Sequence, residues 1–244
     1  ETLRQYTADP ASFYIGANAD AVVRVVNDAM DGAGLLTTVD MSIYRVKERA
    51  AGCAPYRGHE VCGMGPPSAG AVAVGQILGL LEGYDLSAGP ADANVRRLMG
   101  DAARLAFPAR GRYLADSDFV PVPVEGLLDP AYLAERAKLL GGDDALPEVT
   151  PGTPEFDHAL LWADDASIEL PSTSHISIVD AAGNVASMTT TIENAFGSRI
   201  MVNGYLLNNE LTDFSFRSHK DGVPIANRVE PGKRPRSSMA PTIR

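Results

Sequence analysis

Hydroxyl, amide and carboxylate side chains are concentrated in the last third of the chain, beside apolar runs typical of strands. They are Thr173, Ser174, His175, Thr189–Thr191, Asn208–Glu210, Asp213 and Ser237–Ser238. Groups of these types beside apolar strands can form a polar pocket, and a hydroxyl becomes a nucleophile when a base lies next to it. Turn residues and strand threonines would give the same composition without any site, so both interpretations stay open at this point.

A Ser-His-Asp triad is the first chemistry to test, with Ser174, His175 and Asp180 as its members. Such a triad needs the serine hydroxyl and the imidazole within hydrogen-bond distance. Residues that are adjacent on a strand point to opposite faces, so Ser174 and His175 do not meet this requirement. We therefore expect His175 to be structural rather than catalytic.

Ordered sequence blocks carry a resemblance to a known family. The run S-T-S-H-I-S-I-V-D-A-A-G-N-V-A-S-M-T-T-T-I, at 172–192, resembles the start of the small subunit of the γ-glutamyltransferase family, whose members are N-terminal-nucleophile hydrolases. Further blocks follow in the family's order at 196–200, 206–215 and 231–243. Upstream, the segments 34–40, 56–70 and 104–116 resemble the large subunit, so the resemblance covers essentially the whole chain.

The resemblance implies a nucleophile that is made by self-cleavage of the bond between Ser172 and Thr173. A threonine hydroxyl is a weak nucleophile, but a free α-amine on the same residue can act as its base. The ordinary pKa of an α-amine is about 7.7–8.0, which suits general base catalysis near neutral pH. Thr173 would then form an acyl-enzyme with a γ-glutamyl substrate. Attack by water gives hydrolysis, attack by an amino-acid or peptide amine gives transfer, and no cofactor or metal is needed.

The resemblance also assigns roles to individual side chains. Thr191 matches a threonine that hydrogen-bonds the nucleophile, and Asp213 matches the aspartate that binds the substrate α-amine. Glu210 occupies a neighbouring position where the family has Gln or Glu, and Ser237 and Ser238 match the pair that binds the α-carboxylate. Strand, loop-capping and turn roles are the structural alternatives for these residues.

Two features set this chain apart from better-known family members. Glu193 stands where they have Asn as a further α-amine contact, and its charge would either strengthen amine binding or repel the substrate carboxylate. The family's α-carboxylate-binding arginine and its oxyanion-hole glycine pair are expected to lie outside this chain, upstream and downstream. Because losing an oxyanion donor costs about 10²–10³ in rate, we expect this chain alone to be close to inactive.

Two alternatives to a γ-glutamyl hydrolase or transferase remain open. One is a glutaryl-type cephalosporin acylase on the same fold, and the other is an unprocessed, non-catalytic homologue used for binding or assembly. Asp213 discriminates against the acylase, because a substrate without an α-amine has no use for a buried anion at that place.

Composition limits the partners. A formal net charge of −10 over 244 residues argues against binding to nucleic acid. No apolar run approaches the roughly 18 residues of a membrane span, so none is expected in this chain. Two cysteines and four scattered histidines form no recognisable metal motif. The chain begins without Met, and we expect it to be an internal fragment whose partners include the remaining parts of its own precursor.

Charge and amino-acid composition change along the chain at the expected cleavage site. Residues 173–244 hold 8 bases and 6 acids, whereas the residues before them hold 13 bases and 25 acids. We therefore expect 1–172 to be the C-terminal part of a large subunit, ending in an acidic, Pro-rich surface tether at 142–172. Residues 173–244 would be the β-rich N-terminal part of a small subunit.

The periodicity predicts a helix-rich first half and a strand-rich second half, which is the α+β class. The resemblance narrows this class to a four-layer αββα sandwich, incomplete in this chain. We predict helices at 10–30, 39–44, 71–83, 91–106 and 130–140, and strands at 46–54, 59–64, 174–180, 184–192 and 204–208.

Hairpin geometry makes a separate prediction about the two cysteines. If Arg57 and Gly58 form a two-residue loop, Cys53 faces Cys62 in a non-hydrogen-bonded pair. The Cα atoms of such a pair lie about 4.5 Å apart, which is within reach of a disulfide. Two free buried thiols are the alternative. A disulfide, together with the resemblance, would indicate a periplasmic or secreted protein.

Overall fold

The computed structural model describes residues 2–29, 34–158, 161–167 and 173–244. The helices in these ranges are α1 Thr2–Ala8, α2 Gly16–Asn27, α3 Thr38–Ile43, α4 Gly70–Leu81, α5 Ala93–Tyr113, α6 Val124–Leu128 and α7 Pro130–Ala137. The strands are β1 Ala51–Tyr56, β2 His59–Met64, β3 Ser174–Val179, β4 Val185–Thr190, β5 Met201–Val202, β6 Tyr205–Leu206, β7 His219–Lys220, β8 Val223–Pro224 and β9 Thr242–Ile243. This content confirms the predicted mixture of helix and strand.

Local sequence signals account for several helix ends. Thr37 caps α3 and forms a capping box with Asp40. Asp129 caps α7, where it accepts a hydrogen bond from the backbone of the third helical residue, and Pro130 opens the helix. A further helical turn at Lys138–Gly141 completes the segment predicted as 130–140. Along the described residues, every helix is too short or too polar to cross a membrane.

Several predicted elements differ in extent from those in the structure. The helix expected at 10–30 is a 3-10 turn at Pro10–Phe13 followed by α2, because the backbone at Gly16 adopts a left-handed conformation (φ 66°). The helix expected at 91–106 continues to Tyr113. The strand expected at 204–208 is only β6, which pairs with β5 across a turn at Asn203 and Gly204.

The contacts divide the chain into two compact units. The smaller one, which we call unit 1, comprises Glu1–Glu48, Leu170–Thr173 and Thr191–Glu210. Its core contains the rings of Tyr6, Phe13 and Tyr205 at centroid distances of 5.2–6.4 Å. The amide oxygen of buried Asn18 accepts hydrogen bonds from the hydroxyls of both tyrosines, at 2.6 and 3.0 Å, so this polar group is satisfied.

Unit 2 comprises Arg49–Glu169, Ser174–Thr190 and Leu211–Arg244, and α4 lies at its centre. This helix packs against α5, α6, α7 and β1. Close packing requires a glycine at Gly75, where a Cβ atom would lie 2.7 Å from the side chain of Leu128 and 3.0 Å from that of Ala54. Two apolar clusters flank the helix, one around Val72 and Tyr113 and the other around Leu80 and Leu105.

Within the acidic segment predicted as a surface tether at 142–172, several described residues are buried or paired with other parts of the chain. Trp162 is 6% exposed and belongs to the apolar cluster around Val72. The next residue, Ala163, makes a parallel bridge to Ile225, with its N–H donating to the carbonyl of Pro224 at 2.9 Å. Phe156 packs against the same cluster, and Leu146 and Val149 pack against the other one. Apolar side chains therefore hold the described part of this segment, although its average composition is that of a solvated loop.

The cysteine hairpin has the predicted register. Strands β1 and β2 pair antiparallel with Cys53 opposite Cys62, and a disulfide joins the two residues. Arg57 and Gly58 both have positive φ, as a two-residue turn of this type requires. The carboxylate of Glu82 accepts from the backbone N–H of Arg57, which holds an unfavoured residue in the turn. The strand predicted at 46–54 begins only at Ala51, because its partner β2 ends at Met64, the residue opposite Ala51.

We expect thiol titration of the unreduced, denatured protein to find no free thiol in this chain. Closing a loop of this length stabilises a protein by about 2–3 kcal/mol. Reductant should therefore lower the free energy of unfolding by about that amount. A double variant, Cys53→Ala with Cys62→Ala, is the control and should not respond to reductant. Two titratable thiols in the unreduced protein would contradict the disulfide.

Candidate active site

Two of the predicted site residues adjoin the open end of the hairpin β3–β4. The last pair of this hairpin is Ser174 opposite Thr190. Thr173 precedes Ser174 and Thr191 follows Thr190, so the predicted nucleophile and the predicted partner threonine adjoin the same strand pair. Thr173 is exposed and Thr191 is half-buried. Ser172, the other half of the predicted cleavage site, lies outside the described residues.

His175 is engaged within the hairpin. Its Nδ1 atom lies 2.8 Å from the hydroxyl of Thr189, its partner in the register, and its Nε2 atom lies 3.1 Å from the hydroxyl of Ser177. Both ring nitrogens thus contact hydroxyl groups on one face of the hairpin. This arrangement supports the structural role expected for His175.

Glu193 occupies a tight turn directly after the hairpin. Its backbone N–H donates to the hydroxyl of Thr191 at 2.8 Å, and its φ of 70° lies in the left-handed region. The side chain is 8% exposed, and its carboxylate accepts a hydrogen bond from the amide of Asn209. The amide oxygen of Asn209 in turn accepts from the backbone of Asn194 at 2.9 Å. Asn209 therefore fixes both the carboxylate and the backbone of this turn.

Glu210 and Asp213 are the first and last residues of one 3-10 turn. The N–H of Glu210 donates to the side-chain oxygen of Asn208 at 3.0 Å. Asp213 is half-buried, and its backbone carbonyl accepts a hydrogen bond from the side-chain amide of Asn227 at 2.8 Å. The backbone that carries the Asp213 carboxylate is thus held by a side chain from further along the chain.

Ser237 and Ser238 lie on a segment that is attached to the loop before α4. The N–H of Ser237 donates to the carbonyl of Pro67 at 3.0 Å, and its carbonyl accepts from the N–H of Ala69 at 2.8 Å. The hydroxyl of Ser238 accepts from the Arg110 guanidinium at 2.6 Å. The Pro- and Gly-rich loop at 65–70 therefore positions the serine pair through its backbone.

A buried polar network is hydrogen-bonded to the backbone of Asp213 and includes Arg236, the residue before the serine pair. Its members are Asp165, Asn227 and Arg236, and we call it the Asn227 network. The guanidinium of Arg236, which is 2% exposed, contacts the carboxylate of Asp165 at 3.1 Å. Burial raises the pKa of Asp165, but hydrogen bonds from Ser167 and the charge of Arg236 outweigh it, so the pKa of this carboxyl is lowered overall.

The predicted site residues fall in both units. Thr173, Thr191, Glu193 and Glu210 belong to unit 1, and Asp213, Ser237 and Ser238 belong to unit 2. Sequence reasoning missed Arg110 and Asn227, each of which hydrogen-bonds a predicted site residue. Arg110 lies in the segment 104–116, which resembles the family's large subunit, but only its hydrogen bond to Ser238 indicates a role for it. Asn227 follows an apolar stretch with no local signal.

Comparison with known proteins decides the family. The sequence matches the family described as gamma-glutamyltranspeptidase over residues 1–243. The chain belongs to the gamma-glutamyltranspeptidase family. The glutathione hydrolase proenzyme of Escherichia coli K12 is 36% identical over 247 residues, a match that covers 96% of this chain. An acylase ACY 1 proenzyme from Pseudomonas sp. strain SE83 is 35% identical and covers 90%.

Solved structures of two proteins resemble this member of the gamma-glutamyltranspeptidase family. The cephalosporin acylase of Bacillus halodurans matches 98% of the chain and 39% of its own length, with 26% identity and a TM-score of 0.78. The gamma-glutamyltranspeptidase of Helicobacter pylori matches 62% of the chain and 44% of its own length, with 34% identity and a TM-score of 0.57. The chain spans about 40% of the length of the curated relatives named above.

Glu193→Asn tests the departure from the better-known family members. In the full-length protein we expect KM for a γ-glutamyl anilide to rise about three- to tenfold with little change in kcat, because a carboxylate binds an ammonium more strongly than an amide does. Asparagine tolerates the left-handed backbone, so the turn should persist. Glu193→Gln, which removes only the charge, is the matched control. A fall in KM would instead mean that Glu193 repels the substrate carboxylate.

Proposed function

We propose that this chain is part of a γ-glutamyl hydrolase/transferase that acts on glutathione or other γ-glutamyl amides. The observation that carries the proposal is that Thr173 and Thr191 directly adjoin the last pair of β3–β4, at the open end of this hairpin. Ser174 pairs with Thr190, so the residues that flank this pair, Thr173 and Thr191, are brought to the same end of the hairpin. The membership of the gamma-glutamyltranspeptidase family supports the same reading.

Self-cleavage is the first proposed reaction. The Thr173 hydroxyl oxygen attacks the carbonyl carbon of Ser172, and the bond from that carbon to the nitrogen of Thr173 breaks. The nitrogen takes up the hydroxyl proton and becomes a free amine. Water then hydrolyses the resulting ester, which leaves a carboxylate on Ser172 and restores the hydroxyl of Thr173.

Turnover uses the same oxygen. The free α-amine of Thr173 accepts the hydroxyl proton while the oxygen attacks the γ-carbonyl of the substrate. The leaving amine receives the proton, and a γ-glutamyl ester remains on the enzyme. Attack by water on this ester gives glutamate, and attack by an amino-acid or peptide amine gives the transfer product. Thr191 is proposed to hydrogen-bond the nucleophile during both steps.

Substrate recognition is proposed to depend on charge complementarity at the glutamyl α-carbon. Asp213, together with Glu193 and Glu210, would bind the α-amine, and Ser237 and Ser238 would bind the α-carboxylate. The Arg110 guanidinium donates a hydrogen bond to a lone pair of the Ser238 hydroxyl oxygen, which leaves the hydroxyl proton of Ser238 for the substrate carboxylate. This contact supports the assignment.

The whole protein would be a processed precursor with the four-layer αββα sandwich of N-terminal-nucleophile hydrolases. We propose that 1–172 belongs to the large subunit and 173–244 to the small one. A periplasmic or secreted location is part of the proposal, and the disulfide between Cys53 and Cys62 supports it.

The test is an assay of the full-length protein with a γ-glutamyl anilide and, in parallel, a glutaryl anilide that lacks the α-amine. We expect two bands on a denaturing gel after expression, and turnover of the γ-glutamyl compound at least about tenfold faster in kcat/KM. A single unprocessed band with no turnover would support a non-catalytic homologue instead.

A cephalosporin acylase remains the second candidate, because the Bacillus halodurans acylase matches 98% of the chain with a TM-score of 0.78. Asp213 favours the γ-glutamyl substrate, since a half-buried carboxylate is useful opposite an ammonium and unfavourable beside an acyl chain without one. Faster turnover of the glutaryl anilide would decide for the acylase.

A further inference from the structure

Asn227 is a fully buried polar residue that joins two separate parts of the proposed substrate site. Its exposure is 0%. The side-chain amide donates to the backbone carbonyl of Asp213 at 2.8 Å. The side-chain oxygen accepts from the backbone N–H of Arg236 at 2.9 Å, one residue before Ser237. One side chain thus connects the backbone of the proposed amine-binding residue with the backbone that leads into the proposed carboxylate-binding serines.

We propose that Asn227 is a positioning residue that fixes the spacing between Asp213 and the serine pair, and so selects an α-amino acid head group. The inference rests on the proposed function, because it takes from it the roles of Asp213, Ser237 and Ser238. An α-amino acid presents its ammonium and carboxylate on one carbon. A site that binds both charges therefore needs its two binding segments at one fixed separation.

The chemistry of the side chain explains why an amide serves here. The contact to Asp213 needs a donor and the contact to Arg236 needs an acceptor, and an asparagine amide supplies both on a short, stiff side chain. The backbone carbonyl of Asn227 also accepts from the N–H of Ser215, at 2.9 Å, two residues after Asp213. The loop that carries Asp213 is consequently held by two hydrogen bonds from the same residue.

Asn227 is itself held in place by buried charges. Its amide lies 3.4 Å from the carboxylate of Asp165, which pairs with the guanidinium of Arg236. The ammonium of buried Lys233 donates to the carbonyl of Ala226, the preceding residue, at 2.6 Å. Groups that are buried and hydrogen-bonded on several sides have little freedom to move, which is what positioning at a binding site requires.

Asn227→Ala in the full-length protein tests the proposal. We expect KM for a γ-glutamyl anilide to rise at least about tenfold while kcat stays within about threefold, because the spacing of the two binding segments is lost and the nucleophile is untouched. Self-cleavage at Thr173 should proceed to completion and serves as the readout of correct folding. If this variant does not fold, Asn227→Ser, which has a larger side chain than alanine and a polar hydroxyl in place of the amide, is measured instead with the same expectation.

Gln76→Ala is the matched control. Gln76 is a second buried amide of unit 2, 2% exposed, and its side chain donates to a backbone carbonyl, that of Leu127, at 3.1 Å. The variant therefore loses a comparable buried hydrogen bond away from Asp213 and the serine pair. We expect its KM to stay within about twofold of the wild-type value. An equal rise of KM in Asn227→Ala and Gln76→Ala would mean that Asn227 only stabilises the fold and does not position Asp213 relative to the serine pair.

A double-mutant cycle with Asp213→Ala separates positioning from general damage. If Asn227 acts through Asp213, adding Asn227→Ala to Asp213→Ala should raise KM by less than about threefold. The full tenfold rise in that background would overturn the proposal, as would an unchanged KM in the single variant. Wild-type protein that does not turn over the γ-glutamyl anilide would overturn the proposed function, and the role of Asn227 with it.

Discussion

Replacement of Thr173 by alanine should abolish both self-cleavage and turnover in the full-length protein. One oxygen atom is proposed to attack the Ser172 carbonyl in the first reaction and the γ-carbonyl of the substrate in the second. Without it, neither ester can form, and kcat should fall by about 10⁴-fold or more. A denaturing gel measures the first effect as a single precursor band, and release of the anilide measures the second.

Two further variants at the same position serve as controls for this prediction. Thr173→Ser keeps a hydroxyl on the residue and should retain cleavage and turnover at reduced rates. Thr173→Val keeps the shape of the threonine without its oxygen and should behave like the alanine variant. A Thr173→Val protein that still matures into two bands would show that another group carries the cleavage.

Replacement of Asp213 by alanine is expected to have the second largest effect. A hydrogen bond to a charged group contributes about 1.5–3 kcal/mol, so KM for a γ-glutamyl anilide should rise roughly 10- to 150-fold. Self-cleavage should be retained, because the scissile bond presents no α-ammonium to this carboxylate. The measurement is the KM of the processed variant, compared with its kcat.

Asp213→Asn is the matched control, because it keeps the size of the side chain and removes its charge. If the charge binds the α-amine, both variants should lose most of the affinity. Neither should change the slower turnover of a glutaryl anilide, which has no amine to bind. Unchanged kinetics with the γ-glutamyl compound would sink the substrate assignment.

Local patterns in the sequence determined much about this protein. The register of β1 and β2 follows from a two-residue turn, so the sequence alone predicts that Cys53 lies opposite Cys62. The capping box at Thr37 and the hairpin β3–β4 depend on residues only a few positions apart. The ordered sequence blocks indicated the family, which the comparison confirmed. The turn, capping and hairpin signals each lie within a short stretch of chain, whereas the family signal comes from the order of several short blocks along it.

Only the tertiary structure decided which groups meet across long distances in sequence. Trp162 lies in an acidic segment whose composition is typical of a solvated tether, yet its side chain is buried in one of the two apolar clusters of unit 2. Asn227 has no local pattern of its own, and its importance appears from its contacts to Asp213 and Arg236. Periodicity and turn chemistry report short-range preferences. The hydrogen bonds of a buried amide depend on which backbone groups folding brings beside it, and those groups come from separate segments.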